Sequence, residues 1–73
     1  MSDVIDARGL KCPLPVLKAR RALKPLPAGA VLEVLADDPA APGDFRSFCQ
    51  TAGCTLDTTS EGTGWRFRIV KSG

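Results

Sequence analysis

Among the side chains able to attack a substrate, Cys12 has the most unusual setting, within Arg8-Gly9-Leu10-Lys11-Cys12-Pro13-Leu14-Pro15. Cysteine attacks as thiolate, and with an ordinary pKa near ~8.5 only a few per cent is ionised at neutral pH. A residue that precedes proline is pushed into extended backbone. Proline itself suits the first helical position, where its missing N–H costs nothing. Cys12 is therefore predicted to be the N-cap of a helix whose first residue is Pro13. Serine, threonine, asparagine or aspartate would cap better, so a sulfur at this position points to chemistry. A helix N-terminus favours an adjacent anion by about 0.3–1 kcal/mol, or up to roughly 2 in a partly buried site. That lowers a pKa by a fraction of a unit to about one and a half. Pro13 and Pro15 remove two of the donors an anion would use. The expectation is a moderately depressed thiol pKa, roughly 6.5–8, helped by Arg8 and Lys11 where they face the sulfur. Such a thiol both attacks and leaves well, whereas a very acidic thiolate is a poorer nucleophile.

The remaining composition narrows the chemistry. Histidine and tyrosine are absent, which excludes Cys–His and Ser–His dyads, imidazole metal sites and phenolic acid–base catalysis. The cysteines number three, Cys12, Cys49 and Cys54. That is too few for a disulfide scaffold, and without a Cys-x-x-Cys spacing no metal site is expected. Free thiols suit a reducing cytosol. The early residues contain Asp3 and Asp6 and no apolar h-region, so a cytoplasmic protein is expected. No run reaches the roughly 18 apolar residues of a membrane span. A net charge of +2 is too small to imply nucleic-acid binding.

The elements that position Cys12 follow from periodicity, and residues 1–73 are expected to form one domain. Val4 to Ala7 reads as a short strand that ends at the Arg8-Gly9 turn. A first helix is predicted from Pro13 to about Lys24, with Val16, Ala19 and Leu23 facing inward. Pro25 and Pro27 stop it. Ala30 to Ala36 is the clearest strand, and it buries Leu32, Val34 and Ala36 on one face. Asp37-Asp38-Pro39 marks a loop or helix cap. A short second helix carries Phe45, Phe48, Cys49 and Ala52 as its apolar stripe, starting either after Asp38 or at Asp44, with Gly53 as its stop. Cys54 to Ser60 is a weak strand. Glu61-Gly62-Thr63-Gly64 joins it to a last strand in which Trp65, Phe67 and Ile69 face inward while Arg66 and Arg68 face out. The order β-α-β-α-β-β predicts an α+β two-layer sandwich, a four-stranded mixed sheet with both helices on one face. Right-handed crossover makes the first two strands parallel.

Asp6-Ala7-Arg8-Gly9-Leu10-Lys11-Cys12-Pro13-Leu14-Pro15, with Lys18 downstream, resembles the signature of the TusA/SirA-like sulfur-carrier family, whose hallmark is Cys-Pro-x-Pro. The resemblance extends through Gly29, Leu32, Val34, Ala36-Asp37-Asp38-Pro39-Ala40, Asp44 and Phe48-Cys49. It implies the same two-layer sandwich, similar to the C-terminal domain of bacterial translation initiation factor three, and a persulfide carried on Cys12. It implies loading by a pyridoxal-phosphate-dependent cysteine desulfurase and transfer to a downstream relay protein, towards 2-thiouridine in tRNA or related sulfur trafficking. No metal or bound cofactor of the carrier's own is implied, nor direct nucleic-acid binding.

On this reading Gly9, Pro13 and Pro15 position Cys12, and the carrier is a monomer without a complete active site of its own. Arg8, Lys11, Leu14, Lys18 and Arg21 are the expected partner-binding residues, with Leu14 an exposed apolar contact. Cys49 and Cys54 are assigned to packing, and Asp37 and Asp38 to loop and capping roles. The rival reading is a regulatory or interaction module in which Cys12 senses oxidants. A small nucleic-acid-binding domain is less well supported, because an exposed sheet lacks stacking aromatics.

Overall fold

The computed structural model describes residues 2–72. Strand β1 is Ser2–Asp6, helix α1 Leu14–Leu23, strand β2 Val31–Ala36, helix α2 Ala41–Ala52, strand β3 Thr55–Glu61 and strand β4 Gly64–Val70. The sheet is four-stranded in the order β1-β2-β4-β3. β1 runs parallel to β2, as a helical crossover requires, while β4 is antiparallel to both β2 and β3. The predicted α+β sandwich is the observed architecture.

Alternation in β2 and β4 sets the core. Leu32, Val34, Ala36, Phe67 and Ile69 are all fully buried on one face, and the pairings Leu32↔Ile69 and Val34↔Phe67 put them side by side. Ala19 and Leu23 of α1 and Ala41, Phe45 and Cys49 of α2 cover that face. Phe45 stacks on Phe67 with ring centroids 4.4 Å apart and planes at 17°, joining α2 to the centre of the sheet. Burial of each such side chain contributes about 1.5–3 kcal/mol. Trp65, expected in the core, is half-buried and tilts against Phe67 at 6.5 Å.

The opposite face carries polar ladders. Arg66 donates to Glu61 at 2.6 and 3.1 Å and to Glu33 at 3.4 Å. Its guanidinium is thus occupied within the sheet, consistent with the outward position read from the sequence.

Two helix ends are held by residues outside the helix. Helix α2 takes the earlier of its two starts: Asp38 accepts from the amides of Ala40 and Ala41, through its side chain at 3.3 Å and its carbonyl at 2.9 Å. It runs 12 residues, and its inner face is Ala41, Phe45 and Cys49, while Ala52 is exposed. That spacing of four turns the stripe slightly from the predicted one. The C-terminus of α1 is held from a distance: Lys71 Nζ donates to the carbonyls of Leu23, Lys24 and Leu26 at 2.9, 3.1 and 2.6 Å. A cation on the last carbonyls of a helix satisfies groups that have no partner within it.

Candidate functional site

The segment that carries Cys12 leaves the sheet at the C-terminal end of β1. Ala7 is buried and donates to the Leu35 carbonyl at 2.8 Å, which extends the β1–β2 pairing by one residue. The chain then reverses: Leu10 donates back to Ala7, and Gly9 holds φ +82°, a left-handed conformation that a side chain would resist. Helix α1 begins later than predicted. Its first carbonyl acceptor is Pro13, bonded by Leu17 at 3.0 Å. Pro13 has φ −98° and ψ 18°, outside the helical basin, so Pro13 is the N-cap and not the first helical residue. Cys12 stands one residue further out, and the Cys12–Pro13 peptide is cis. Pro15 lies in the first turn with its ring buried, where the absent N–H has no intrahelical partner to lose.

Two neighbouring carboxylates fix this loop. Asp37 accepts from the Gly9 amide at 3.0 Å, and Asp38 accepts from the Cys12 amide at 2.6 Å. Both come from the end of β2, so the parallel pairing of β1 and β2 delivers them to the loop. Asp37 and Asp38 are loop residues, as expected, but neither side chain caps helix α2, whose N-cap is Ala40. Their reach across 28 and 26 residues was not visible in the sequence, because only the strand pairing creates it.

Cys12 is exposed, Cys49 buried and Cys54 intermediate, and all are free thiols. The Cys12 side chain sits at one end of a groove of about 360 Å³ between the two helices. Cys12, Pro13 and Val16 form one bank; Asp44, Ser47 and Phe48 of α2 form the other. Phe48 also floors a second hollow of about 270 Å³, whose rim holds Arg20, Lys24 and Lys71. The inter-helix surface therefore runs from a sulfur flanked by acids to a cluster of cations.

The electrostatics correct the expected thiol pKa. The Cys12 pKa lies above its ordinary value, first because the Asp44 carboxylate across the groove favours the protonated thiol as a hydrogen-bond donor, then through partial desolvation and the negative charges of Asp44 and Asp38. Two causes of the predicted depression fail. The sulfur lies outside the first helical turn, so the helix terminus helps little. Arg8 is turned onto Asp6, donating through Nε and Nη2 at 2.8 Å each, and Asp6 is lowered to about 2 by that pairing. Burial pushes Cys49 up to about 11.

The other predicted site residues divide between surfaces. Leu14 is exposed at 48%, and Leu17, one turn on, at 44%. Lys11 is exposed beside Cys12. Lys18 and Arg21 line a shallow hollow with Ile5 and Ala22, on the β1 flank of α1 away from the groove. Arg20, Lys24 and Leu17, which the sequence reading did not select, lie with Arg21 along the outer face of the helix. Arg8 borders a separate cavity with Leu35, Glu61 and Trp65 at the end of the sheet. Among the described residues, no three cysteine, aspartate or glutamate side chains converge as metal ligands would, and no helix is long and apolar enough to cross a membrane.

Comparison with known proteins places this arrangement. Residues 3–71 match the family model described as sulfurtransferase TusA. A Neisseria meningitidis protein, provisionally named a sulfur carrier protein, is 51% identical over 63 residues, 86% of this chain and 85% of its own. The sulfur carrier protein TusA of Allochromatium vinosum is 42% identical over 69 residues, covering 93% and 91% of the two chains. A crystal structure of a SirA-like protein from Desulfitobacterium hafniense superposes with a TM-score of 0.86 at 29% identity, with both chains covered completely.

Proposed function

This chain belongs to the TusA family of sulfurtransferases, and from that membership we infer that it is a sulfur carrier whose Cys12 bears the cargo as a persulfide. The observation that carries the reading is the placement of the sulfur: exposed, ahead of the first helix, at the end of an open groove. A thiol there can meet a second protein's sulfur. The donor on this reading is a cysteine desulfurase and the acceptor a relay protein, feeding tRNA 2-thiouridine synthesis or related sulfur trafficking.

Loading is a sulfur exchange. Cys12 thiolate attacks the outer sulfur of the donor persulfide, that S–S bond breaks, and the donor cysteine leaves as thiolate. The proton given up by Cys12 balances the charge on the donor. Transfer repeats the step with an acceptor thiolate attacking the outer sulfur on Cys12. Gly9, Pro13 and Pro15 shape the loop, and Asp37 and Asp38 tie it to β2. Leu14 and Leu17 supply an apolar centre for docking, and Lys11, Lys18, Arg20, Arg21 and Lys24 surround it with positive charge that favours an acidic partner face. Arg8 belongs to this set only in a partner that also reaches the end of the sheet.

A redox-sensing Cys12 fits less well. Sensor cysteines are low in pKa, and the neighbours of Cys12 act in the opposite direction. The test is incubation with a cysteine desulfurase and cysteine, followed by intact mass measurement. One added sulfur is expected, absent in Cys12→Ser. A protein that gains no sulfur, yet forms sulfenic acid under mild peroxide, would overturn the assignment.

A further inference from the structure

We propose that Asp44 is a positioning residue for discharge: its carboxylate, facing Cys12 across the inter-helix groove, favours the empty carrier over the loaded one and so drives release of sulfur to the acceptor. This rests on the carrier reading above.

The geometry is specific. Asp44 lies in the first turn of α2, on the bank of the groove opposite Cys12. Asp38, from the loop before α2, already holds the Cys12 amide. The charges that act on the sulfur are Asp44 and Asp38, both negative. The other groove neighbours, Pro13, Val16, Ser47, Phe48 and Thr51, carry no charge. Of the cations in the preceding turn, Lys11 is exposed next to Cys12 and is not among the charges that act on the sulfur, and Arg8 is committed to Asp6.

A neutral thiol can donate its hydrogen to the Asp44 carboxylate. An anion cannot. Because a persulfide S–H is more acidic than the corresponding thiol, the loaded form is the more anionic at neutral pH. It faces two carboxylates with no proton to offer. On discharge, the acceptor thiol loses its proton and its sulfur attacks the outer sulfur on Cys12. The Cys12 S–S bond breaks, the acceptor leaves with the sulfane sulfur, and the Cys12 thiolate takes up the proton. Atoms and charge balance, with no net oxidation. Asp44 acts on the last event by holding the new thiol as hydrogen-bond acceptor.

The test uses the full chain, loaded by a desulfurase and then equilibrated with glutathione as acceptor, with the loaded fraction read by intact mass. Asp44→Asn is expected to shift the equilibrium about threefold to fivefold towards retained sulfur, the effect of one surface carboxylate at short range. The pH dependence of Cys12 alkylation should move down in the same variant. Asp44→Glu should restore both. An Asp44→Asn equilibrium equal to wild type, in a protein with unchanged melting behaviour, would overturn the role. So would a shift towards release. Wild-type protein that never acquires sulfur defeats the carrier reading itself, a separate outcome.

Discussion

The Cys12 amide donates to the Asp38 carboxylate at 2.6 Å, so the residue bearing the thiol is held by the loop after β2 and not by its own helix. Asp38 also accepts from the amide of Ala40, the residue ahead of α2. Asp38→Ala removes both bonds and should cost about 1–2 kcal/mol, lowering Tm by about 4–8 °C per kcal/mol in a domain of this size. Hydrogen exchange at the Cys12 amide should accelerate beyond that of the α1 core. A melt and an exchange profile identical to wild type would show that the bond fixes nothing.

Asp38 and Asp44 together bear on the reactivity of the Cys12 thiol. Since Asp44, desolvation and Asp38 favour the protonated thiol, alkylation of Cys12 at neutral pH should be slower than that of a free cysteine. It should rise only as pH passes the raised pKa. Asp38→Asn removes one negative charge, keeps an oxygen for the Cys12 amide, and should move the alkylation profile to lower pH. The rate of a neutral alkylating reagent against pH, in a Cys49→Ala, Cys54→Ala background, measures this. A Cys12 that reacts faster than free cysteine at neutral pH would contradict it.

What was legible in the sequence is local and periodic. The alternation of Leu32, Val34 and Ala36 and of Phe67 and Ile69 is read directly from a period of two, and the same core is buried in the structure. Element order and crossover handedness then determine the parallel β1–β2 pair. The environment of Cys12 was not legible, because it is made of long-range contacts. Asp38 and Asp44 are ordinary cap and first-turn acids when read along the chain, and only the packing of α2 against α1 turns one towards the thiol. Arg8 was expected near the sulfur on proximity in sequence, but its guanidinium finds Asp6 two residues away. The start of α1 was misplaced by one residue because Pro13 can serve either as N-cap or as first helical residue, and sequence alone favours the latter.

Leu14 and Leu17 are exposed at 48% and 44% on the outer side of α1, with Arg20, Arg21 and Lys24 close to Leu17. Exposed leucines ringed by cations cost solubility and contribute little to the core. Leu17→Asp should therefore change folding stability by less than about 0.5 kcal/mol. It should weaken binding to the sulfur donor or acceptor by roughly tenfold or more, the loss of a buried apolar anchor at an interface. Titration calorimetry or a sedimentation binding curve with the donor would measure it. Unaltered affinity would remove this face from the docking surface.

Gly64 opens β4 where it passes the end of β2. A Cβ there would overlap the Ala36 carbonyl oxygen and approach Asp37 Cα and Cβ to 2.9 Å. Asp37 in turn holds the Gly9 amide, so crowding at Gly64 reaches the thiol loop. Gly64→Ala should lose about 1–3 kcal/mol, the usual cost of forcing volume into a packed site. The amide resonances of Gly9 and Cys12 should shift although neither touches residue 64. A stable variant with unmoved loop resonances would show that the end of β4 yields without disturbing Asp37.

Cys49 gives a pH dependence whose sign can be worked out. Its folded pKa is raised from 9.0 to about 11, chiefly by burial and secondarily by Cys54, because an anion is poorly solvated on the inner face of α2. The unfolded chain ionises this thiol at lower pH than the native state does. It therefore releases its proton first, and unfolding is favoured as pH rises from about 9 towards 11. The contribution is complete below the unfolded value and is lost on passing through the folded one. Cys49→Ala cannot ionise. It should be less stable than its parent by roughly 1 kcal/mol at neutral pH through lost packing, with the deficit shrinking across the alkaline window. A Cys12→Ser background removes the other raised thiol, so urea melts of the pair at several pH values isolate Cys49. A deficit that stays constant from neutral pH to about 11 would mean that the buried thiol ionises no later in the native protein than in the unfolded chain.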